Sequence, residues 1–328
     1  MISIRDVQVA PGGRTMIEIP VTTMASGYRL TIPVHILAGA APGPTVALIS
    51  THHGDEIFSV ELVRQTAEVL GRESFRGRAV LVPVANPIAF ETGTRHTPVD
   101  MFNLNRVFPG TPDGWITEQI AHALTTALVP GIDAVIDYHC GGPDTEIHYT
   151  YTRPATTEIG RRIHDLALLT GAEVLWLTDL PRGTFAGCAE ERGIPWAILE
   201  VGGSPSHGTP VGTRGLEGTL NVLRALGVLD GAPTPSRAKV QVSRGGSLRP
   251  HHGGLFYPEV GAEALGAAVP RGTVLARVRS PYTLEELEVL RAPYDPTYIM
   301  MVRSRISRVH PGDYAYILGD GATATPLR

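Results

Sequence analysis

The fold is decided by the stretch TVALISTHHGDE, which occupies residues 45–56. Its first half, TVALIS, is a short continuous apolar run, and such runs are typical of strands that are buried on both faces of a sheet. The polar loop THHGDE follows, and a helical pattern of apolar residues then extends from about Glu56 to Leu70. A buried strand, a loop and a helix in this order predict one unit of a parallel α/β sheet.

The same alternation continues along the chain. Short apolar runs predict strands, and apolar residues at helical spacing predict helices, because the two patterns differ in period. The strands are expected at 79–86, 134–139, 172–178 and 196–203, and the helices at 116–128, 157–171 and 212–227. A β-hairpin is expected within about residues 1–40. Residues 1–232 are therefore predicted to form an α/β domain whose mostly parallel sheet is flanked by helices.

The pattern changes at VLDGAPTPSR, residues 228–237, which is rich in proline and glycine and is typical of a linker. After this segment, short strand-like pieces alternate with glycine and proline, and we find no convincing helical pattern. Residues 233–328 are therefore predicted to form a small all-β C-terminal domain.

The composition excludes several kinds of chemistry. The chain of 328 residues contains a single lysine, Lys239, and 27 arginines. Schiff-base chemistry needs a lysine amine, and a phosphate loop needs a lysine after a glycine-rich segment. Lys239 lies in RAKVQV, with no glycine loop before it. We attribute the arginine bias to GC-rich coding rather than to function.

The composition also bounds location and partners. No apolar run approaches the roughly 18 residues that span a membrane, and the N-terminus lacks the pattern of a signal peptide. Two cysteines, Cys140 and Cys188, form no disulfide framework and suit a reducing cytoplasm. No basic stripe with interleaved aromatic residues points to nucleic acid. We expect a cytoplasmic protein that binds neither membrane nor nucleic acid, and homo-oligomerisation is left open.

Polar residues collect where the predicted strands end, which is where open α/β sheets bind ligands. His53 and Glu56 follow the first strand with a spacing that lets both side chains face one centre, and His139 ends the strand AVIDYH. Two imidazoles and one carboxylate are the ligands of catalytic zinc sites with an open position for water. Asp137 is expected to support an imidazole or its loop.

Each of these residues also has a simpler interpretation. Glu56 can favour the positive N-terminus of its helix without binding metal. The paired histidines can be exposed loop residues, and His139 can be a structural histidine at a strand end. The combination across three strand ends favours a metal site.

Glu200 interrupts the otherwise apolar strand WAILEVGG. Burial of an ionised carboxylate is costly unless another group pairs with it or the site uses it. One interpretation is an ion pair with an arginine. The other is a general base that takes a proton from water.

A long segment, residues 86–110, is expected to be irregular and functional. It holds three of the four asparagines of the chain, namely Asn86, Asn103 and Asn105, and it also carries Arg95 and Arg106. Arginine pairs bidentately with carboxylates. The alternative is a surface loop with capping asparagines.

Taken together, HGDE after its strand, GTR…NLNRVFPG, the D-x-H strand end and the E-V-G strand resemble the succinylglutamate desuccinylase/aspartoacylase family. These are zinc hydrolases related to carboxypeptidase A, and the resemblance covers both predicted domains. It implies a zinc-carboxypeptidase-like α/β domain followed by a β domain. It also implies one zinc ion per chain.

The resemblance assigns roles to individual residues. It implies that His53, Glu56 and His139 bind zinc and that Glu200 is the general acid/base. Arg95 corresponds to the arginine that polarises the scissile carbonyl. The pair that holds the α-carboxylate of the substrate corresponds to Asn105 and Arg106.

One stretch departs from the family pattern. Aspartoacylases proper place another arginine shortly before the catalytic glutamate, where this chain has Glu190 and Glu191, with Arg182 and Arg192 nearby. This departure disfavours N-acetylaspartate or succinylglutamate and suits a cationic side chain. The NLNRVFPG loop resembles the N-acetyl-diaminobutyrate deacetylase branch associated with ectoine breakdown.

The expected function is therefore a zinc-dependent amidohydrolase that cleaves a small N-acyl amino acid with a zinc-activated water. The first alternative is a zinc carboxypeptidase acting on peptides, which would use the same carboxylate clamp. The second is a non-enzymatic ligand-binding protein on a hydrolase fold.

Overall fold

The computed structural model describes residues 3–327 of the chain. Within them, the predicted hairpin and the strands of the α/β part are present, together with three elements that the sequence did not predict, namely one strand and two short helices. The strands are β1 (Arg14–Thr23), β2 (Arg29–Ala38), β3 (Ala41–Ser50), β4 (Arg76–Val82), β5 (Ala134–His139), β6 (Thr145–Thr152), β7 (Val174–Leu177) and β8 (Trp196–Gly202). The helices are α1 (Phe58–Leu70), α2 (Pro87–Thr92), α3 (Ile116–Leu128), α4 (Glu158–Ala167), α5 (Phe185–Glu190) and α6 (Pro210–Ala225).

The C-terminal part consists of short strands and 3-10 turns among the described residues, as the sequence predicted. The strands are β9 (Val240–Val242), β10 (Gly245–Leu248), β11 (Gly254–Pro258), β12 (Ala268–Val269), β13 (Val274–Arg279), β14 (Glu286–Arg291), β15 (Thr297–Arg303), β16 (Ser307–Val309), β17 (Tyr316–Asp320) and β18 (Thr325–Pro326).

A large sheet organises the molecule, with the main strand order β1-β2-β4-β3-β5-β8-β6-β15-β17-β10. The central strands β4, β3, β5 and β8 run parallel. Antiparallel pairs flank this centre on both sides. The parallel centre places the carboxyl ends of β3, β5 and β8 at the same edge, and the candidate site lies there.

Helices cover both faces of the sheet. Alternate residues of β3 point to opposite faces, so Val46 and Leu48 pack in the core with α1 and α6. Ala47 and Ile49 pack in the core on the other face, with α3 and α5. Because strands buried on both faces read as continuous apolar runs, this arrangement explains the run TVALIS.

The C-terminal strands are joined directly to the site-bearing sheet. Met301 of β15 is the antiparallel partner of Ile147 of β6, so β15, β17 and β10 extend the large sheet. The same C-terminal part of the chain also forms a separate four-stranded sheet, with the strand order β14-β13-β11-β16. The division into domains at residues 232 and 233 stays a prediction. Among the described residues, no helix has the length and apolar character needed to cross a membrane.

The structure differs from the sequence expectation in the segment 86–110. This segment begins with the helix α2, because the Asn86 side chain caps it by accepting from the Ala89 backbone N–H and Pro87 suits its first turn. The predicted strand over 79–86 ends earlier, at Val82. The helix predicted from about Glu56 begins at Phe58, which leaves Glu56 outside the helix.

Candidate active site

A cavity of about 450 Å³ opens at the carboxyl edge of the parallel strands. Every residue to which the sequence assigned a site role lines this cavity. These residues are His53, Glu56, Arg95, Asn105, Arg106, His139 and Glu200. They come from β5, β8 and three loops or turns, so the fold brings together side chains that are far apart in the chain.

The turn after β3 has an unusual backbone. Thr51 has a φ of 58°, in the left-handed region that a non-glycine residue rarely adopts. Its hydroxyl donates to the carbonyl of Pro83 over 3.1 Å, which holds the turn. Gly54 follows, and a Cβ there would lie 1.9 Å from the carbonyl oxygen of Ala89. Glycine is therefore required where this loop passes α2.

The three predicted metal ligands converge within this cavity. Nδ1 of His53 lies 2.6 Å from Oε1 of Glu56, and Nδ1 of His139 lies 2.9 Å from Oε2 of the same carboxylate. All three side chains are buried. Burial by itself raises the pKa of Glu56, but the two imidazoles outweigh it and hold that pKa well below its usual value.

These contacts fit a metal ion. The ligand atoms of His53, Glu56 and His139 all lie within 4.8 Å of one another. Two imidazole nitrogens and a carboxylate are a typical donor set for catalytic zinc, and the adjacent cavity leaves room for further ligands. The residues present therefore fit zinc.

A second cluster shares His139 with the first. His52, Asp137 and His139 also offer ligand atoms within 4.8 Å of one another. His52 is fully buried, does not line the cavity and packs against the rings of Phe108 and Phe185. Its Nε2 lies 3.0 Å from Oδ1 of Asp137, which lies 3.5 Å from Nε2 of His139. This cluster is placed to support His139 from behind rather than to meet a substrate.

The asparagines of the segment 86–110 hold the histidines. Oδ1 of Asn103 lies 3.1 Å from Nε2 of His53, on the side of the ring away from Glu56. Nδ2 of Asn105 lies 3.1 Å from Nε2 of His139, while its Oδ1 accepts from the backbone N–H of Phe185 over 2.9 Å. The sequence marked both asparagines as unusual, but it did not indicate that Asn103 contacts a candidate ligand.

Glu200 is partly buried in the wall of the cavity. Burial raises the pKa of Glu200 to about 7, against the lowering influence of His139. Among the described residues, no side chain forms a hydrogen bond or ion pair with this carboxylate, so the arginine pair considered from the sequence is absent. A carboxyl group whose pKa lies near neutrality is suited to accept and release a proton.

The two arginines differ in their contacts. Nη1 of Arg95 donates to Oε1 of Glu56 over 3.0 Å. Arg106 donates through Nη1 to the backbone carbonyl of Asn105 over 2.6 Å, and within residues 3–327 no carboxylate forms an ion pair with it. Arg106 thus presents a guanidinium with unused donors to the cavity.

Other cavity residues could not be found from the sequence. Strand β6 was not predicted, and it contributes Tyr149 and Tyr151 to the wall next to Glu200. Arg249 and Tyr314 come from the C-terminal part, where the guanidinium of Arg249 lies 4.1 Å from the centre of the Tyr314 ring. In the sequence, the two tyrosines lie in a short alternating run and Arg249 lies in a loop. Neither pattern distinguishes these residues from ordinary surface positions.

The acidic residues before Glu200, Glu190 and Glu191, lie outside the cavity, whereas the sequence suggested that they suit a cationic side chain. Glu190 accepts from Arg153 and from the indole N–H of Trp196. Glu191 is exposed, and neither glutamate lines the cavity. Arg182 and Arg192 lie outside it as well. The segment instead forms the short helix α5, which Thr184 caps by accepting from the Gly187 N–H.

Sequence comparison identifies the class of protein. Residues 42–226 match the model of the succinylglutamate desuccinylase/aspartoacylase catalytic domain. The chain belongs to this family, which is a family of deacylases. It is 31% identical over 274 residues to the N-alpha-acetyl-L-2,4-diaminobutyric acid deacetylase of Halomonas elongata, with coverage of 80% of this chain and 78% of that protein.

Solved structures of the family share the fold over nearly the whole chain. The product-bound ectoine utilization protein EutE (DoeB) from Ruegeria pomeroyi is 25% identical with a TM-score of 0.81, covering 96% of this chain and 98% of that chain. An aspartoacylase family protein from Mesorhizobium loti is 26% identical with a TM-score of 0.79, covering 97% and 96%.

Proposed function

We propose that this protein is a zinc-dependent amidohydrolase that removes the acyl group from a small N-acyl amino acid, of the N-acetyl-diaminobutyrate type. One observation carries the proposal: a candidate zinc site lines the same small cavity as the Glu200 carboxylate and the Arg106 guanidinium, neither of which has an ion-pair partner within residues 3–327. The relative from Halomonas elongata, named for the deacetylation of acetyl-diaminobutyric acid, supports the choice of substrate.

His53, Glu56 and His139 would hold the zinc ion, since their ligand atoms lie within 4.8 Å of one another. When bound in such a site, zinc polarises a carbonyl and lowers the pKa of water. Asn103 keeps Nδ1 of His53 directed at the site, because its side-chain oxygen engages the opposite ring nitrogen.

Glu200 moves the proton in this proposal. Its carboxylate removes a proton from the attacking water and later gives that proton to the nitrogen of the leaving amine. The absence of a bonded partner among the described residues leaves the Glu200 carboxylate free for both transfers. Its pKa of about 7 supports the same role, since the group is then able to accept and to donate near neutral pH.

The arginines divide the remaining tasks. Arg95, next to Glu56, is placed to donate to the carbonyl oxygen of the scissile amide as that oxygen gains negative charge. Arg106, which has unused donors, would bind the α-carboxylate of the substrate. Asn105 supports this clamp indirectly, because its side chain bonds His139 and the backbone of Phe185.

The experiment that tests the proposal is a panel of N-acetyl and N-succinyl amino acids, assayed for free amine with the zinc-loaded protein. Acetylated diaminobutyrate, ornithine, aspartate and glutamate belong in the panel, together with a peptide of ten residues. We expect amine release from N-acetyl-diaminobutyrate at the highest kcat/KM. Release of the C-terminal residue from the peptide, without deacylation of the small substrates, would instead identify a carboxypeptidase.

A further inference from the structure

Two tyrosines of β6 form a hydroxyl pair in the wall of the cavity. The hydroxyl oxygens of Tyr149 and Tyr151 lie 3.1 Å apart, and both residues line the cavity. Within residues 3–327, neither hydroxyl has another hydrogen-bond partner. One hydroxyl donates to the other, so the pair retains one free O–H and free oxygen lone pairs.

The pair shares a sheet face with Glu200 and lines the same cavity as Arg106. Tyr149 is the antiparallel partner of Glu200 in the sheet, so their side chains lie on the same face. Burial first, and then the negative charge of Glu200, raises the pKa of both tyrosines, whereas Arg106 lowers the pKa of Tyr151. Tyr151 lies two residues further along β6 on the same face, so both tyrosines and Glu200 line the same side of the cavity.

If the proposed function holds, the position of the hydroxyl pair corresponds to the side chain of the substrate. Glu200 would meet the amide nitrogen and Arg106 would bind the α-carboxylate, and the α-carbon joins these two groups. The β6 wall shares a sheet face with Glu200, so a side chain on the α-carbon would meet this wall. The hydroxyl pair is a polar feature that the wall presents to the end of a short side chain.

The hydroxyl pair presents phenol oxygens, which are hydrogen-bond acceptors that suit an ammonium group. The Tyr151 ring stacks on Trp176 with ring centres 5.6 Å apart, and the Tyr149 ring lies 5.9 Å from Trp176. Aromatic rings and phenol oxygens attract an ammonium group. The two arginines that precede Glu200 in the sequence, Arg182 and Arg192, do not line the cavity, so neither of them pairs with an acidic side chain there.

We propose that the Tyr149–Tyr151 hydroxyl pair binds the side-chain ammonium group of the substrate and thereby selects an amine-bearing amino acid. This inference rests on the proposed deacylase function and adds to it the residues that determine side-chain specificity. It also replaces Glu190 and Glu191 as the feature that favours a cationic side chain.

The test compares two substrates that have the same side-chain length. N-acetyl-L-2,4-diaminobutyrate ends in an ammonium group, and N-acetyl-L-norvaline ends in a methyl group. We expect Tyr149→Phe and Tyr151→Phe each to lower the ratio of kcat/KM for the first substrate over the second by about tenfold to a hundredfold. The ratio is informative because partial unfolding or lost zinc lowers both rates together.

Tyr316→Phe is the matched control. Tyr316 is buried in the C-terminal core and donates to the carbonyls of Val260 and Leu275, away from the cavity. The Tyr316→Phe change removes a buried hydroxyl, so it should lower the free energy of unfolding. It should leave the ratio of kcat/KM for the two substrates unchanged.

The outcomes separate this inference from the function on which it rests. If the wild-type protein released amine and both tyrosine variants kept its ratio of kcat/KM values for the two substrates, only the assignment of the hydroxyl pair would be overturned. Equal losses on both substrates would also overturn it, because the hydroxyls would then serve a step common to both. If the zinc-loaded wild-type protein deacylated no amino acid, the proposed function itself would fail.

Discussion

The side-chain oxygen of Asn103 lies 3.1 Å from Nε2 of His53, while Nδ1 of the same ring lies 2.6 Å from Glu56. The imidazole is thus bonded through both nitrogens, and only one orientation satisfies both contacts. Asn103 is itself fixed, because the same oxygen accepts from the backbone N–H of Asn105 over 2.9 Å. A rigid loop therefore sets the direction of a candidate metal ligand.

Asn103→Ala should weaken zinc binding by about tenfold to a hundredfold, since outer-shell partners of ligating histidines have effects of this size. Competition with a chromophoric chelator measures the change. Asn103→Asp keeps an oxygen acceptor at the same place and should retain most of the affinity. Asn221→Ala, at an asparagine bonded to Thr234 far from the cavity, serves as a control. Equal affinity in the wild-type and Asn103→Ala proteins would contradict the role of Asn103.

Glu200→Gln should lower kcat by about 10²–10⁴-fold, because this change removes the group that carries the proton. The zinc content should remain that of the wild-type protein, since Glu200 is not among the proposed ligands. Glu146→Gln is the matched control, because Glu146 lies on the adjacent strand, bonds Ser206 and does not line the cavity. Wild-type turnover by a zinc-loaded Glu200→Gln protein would exclude the proposed proton transfer.

Arg106→Ala should lower kcat/KM for N-acyl amino acids by about tenfold to a hundredfold, the worth of a charged hydrogen-bonded pair. The effect should be much smaller on the matching N-acyl amino acid carboxamide, which has no α-carboxylate. Steady-state kinetics of the wild-type and Arg106→Ala proteins on both substrates isolate the contribution of the pair between Arg106 and the α-carboxylate. A decrease of the same size on the carboxamide would assign Arg106 to another task.

Leu48→Ala should reduce the free energy of unfolding by about 2–5 kcal/mol, because it opens a cavity in a strand that is buried on both faces. Leu48 is fully buried, whereas Ile306 is 61% exposed. Ile306→Ala should therefore change the unfolding free energy by no more than about 0.5 kcal/mol. Urea denaturation followed by circular dichroism measures both values. Similar losses in the two variants would be inconsistent with the described core.

The sequence predicted the elements whose pattern is set by burial. Strand β5 has the predicted bounds, because AVIDYH is buried along its whole length and its composition reflects that burial. Strand β6 was missed, since TEIHYTYT is rich in polar residues that find partners only in three dimensions. For example, the Thr150 hydroxyl bonds the carbonyl of Ile198. Short helices such as α2 and α5 depend on single capping side chains, which the sequence pattern does not distinguish from turn residues.

The sequence predicted those residues of the candidate site that lie at strand ends or at a short spacing after them. His53, Glu56, His139 and Glu200 follow or end parallel strands, and parallel strands bring such positions to one edge. The contact between Asn103 and His53 depends on how the segment 86–110 folds back over the site, which no periodicity encodes. Glu190 was considered as a partner for a cationic side chain, but it lies outside the cavity, because closeness in sequence to Glu200 does not place a residue there.

Under the proposed function, a bound metal ion is needed to release amine from an N-acyl amino acid. Amine release from N-acetyl-L-2,4-diaminobutyrate is measured with one preparation before chelation, after chelation and after zinc is restored, and bound zinc is counted each time. We expect the rate to fall and recover in proportion to bound zinc, up to a single ion per chain. Amine release at the same rate after the zinc has been removed would contradict this expectation.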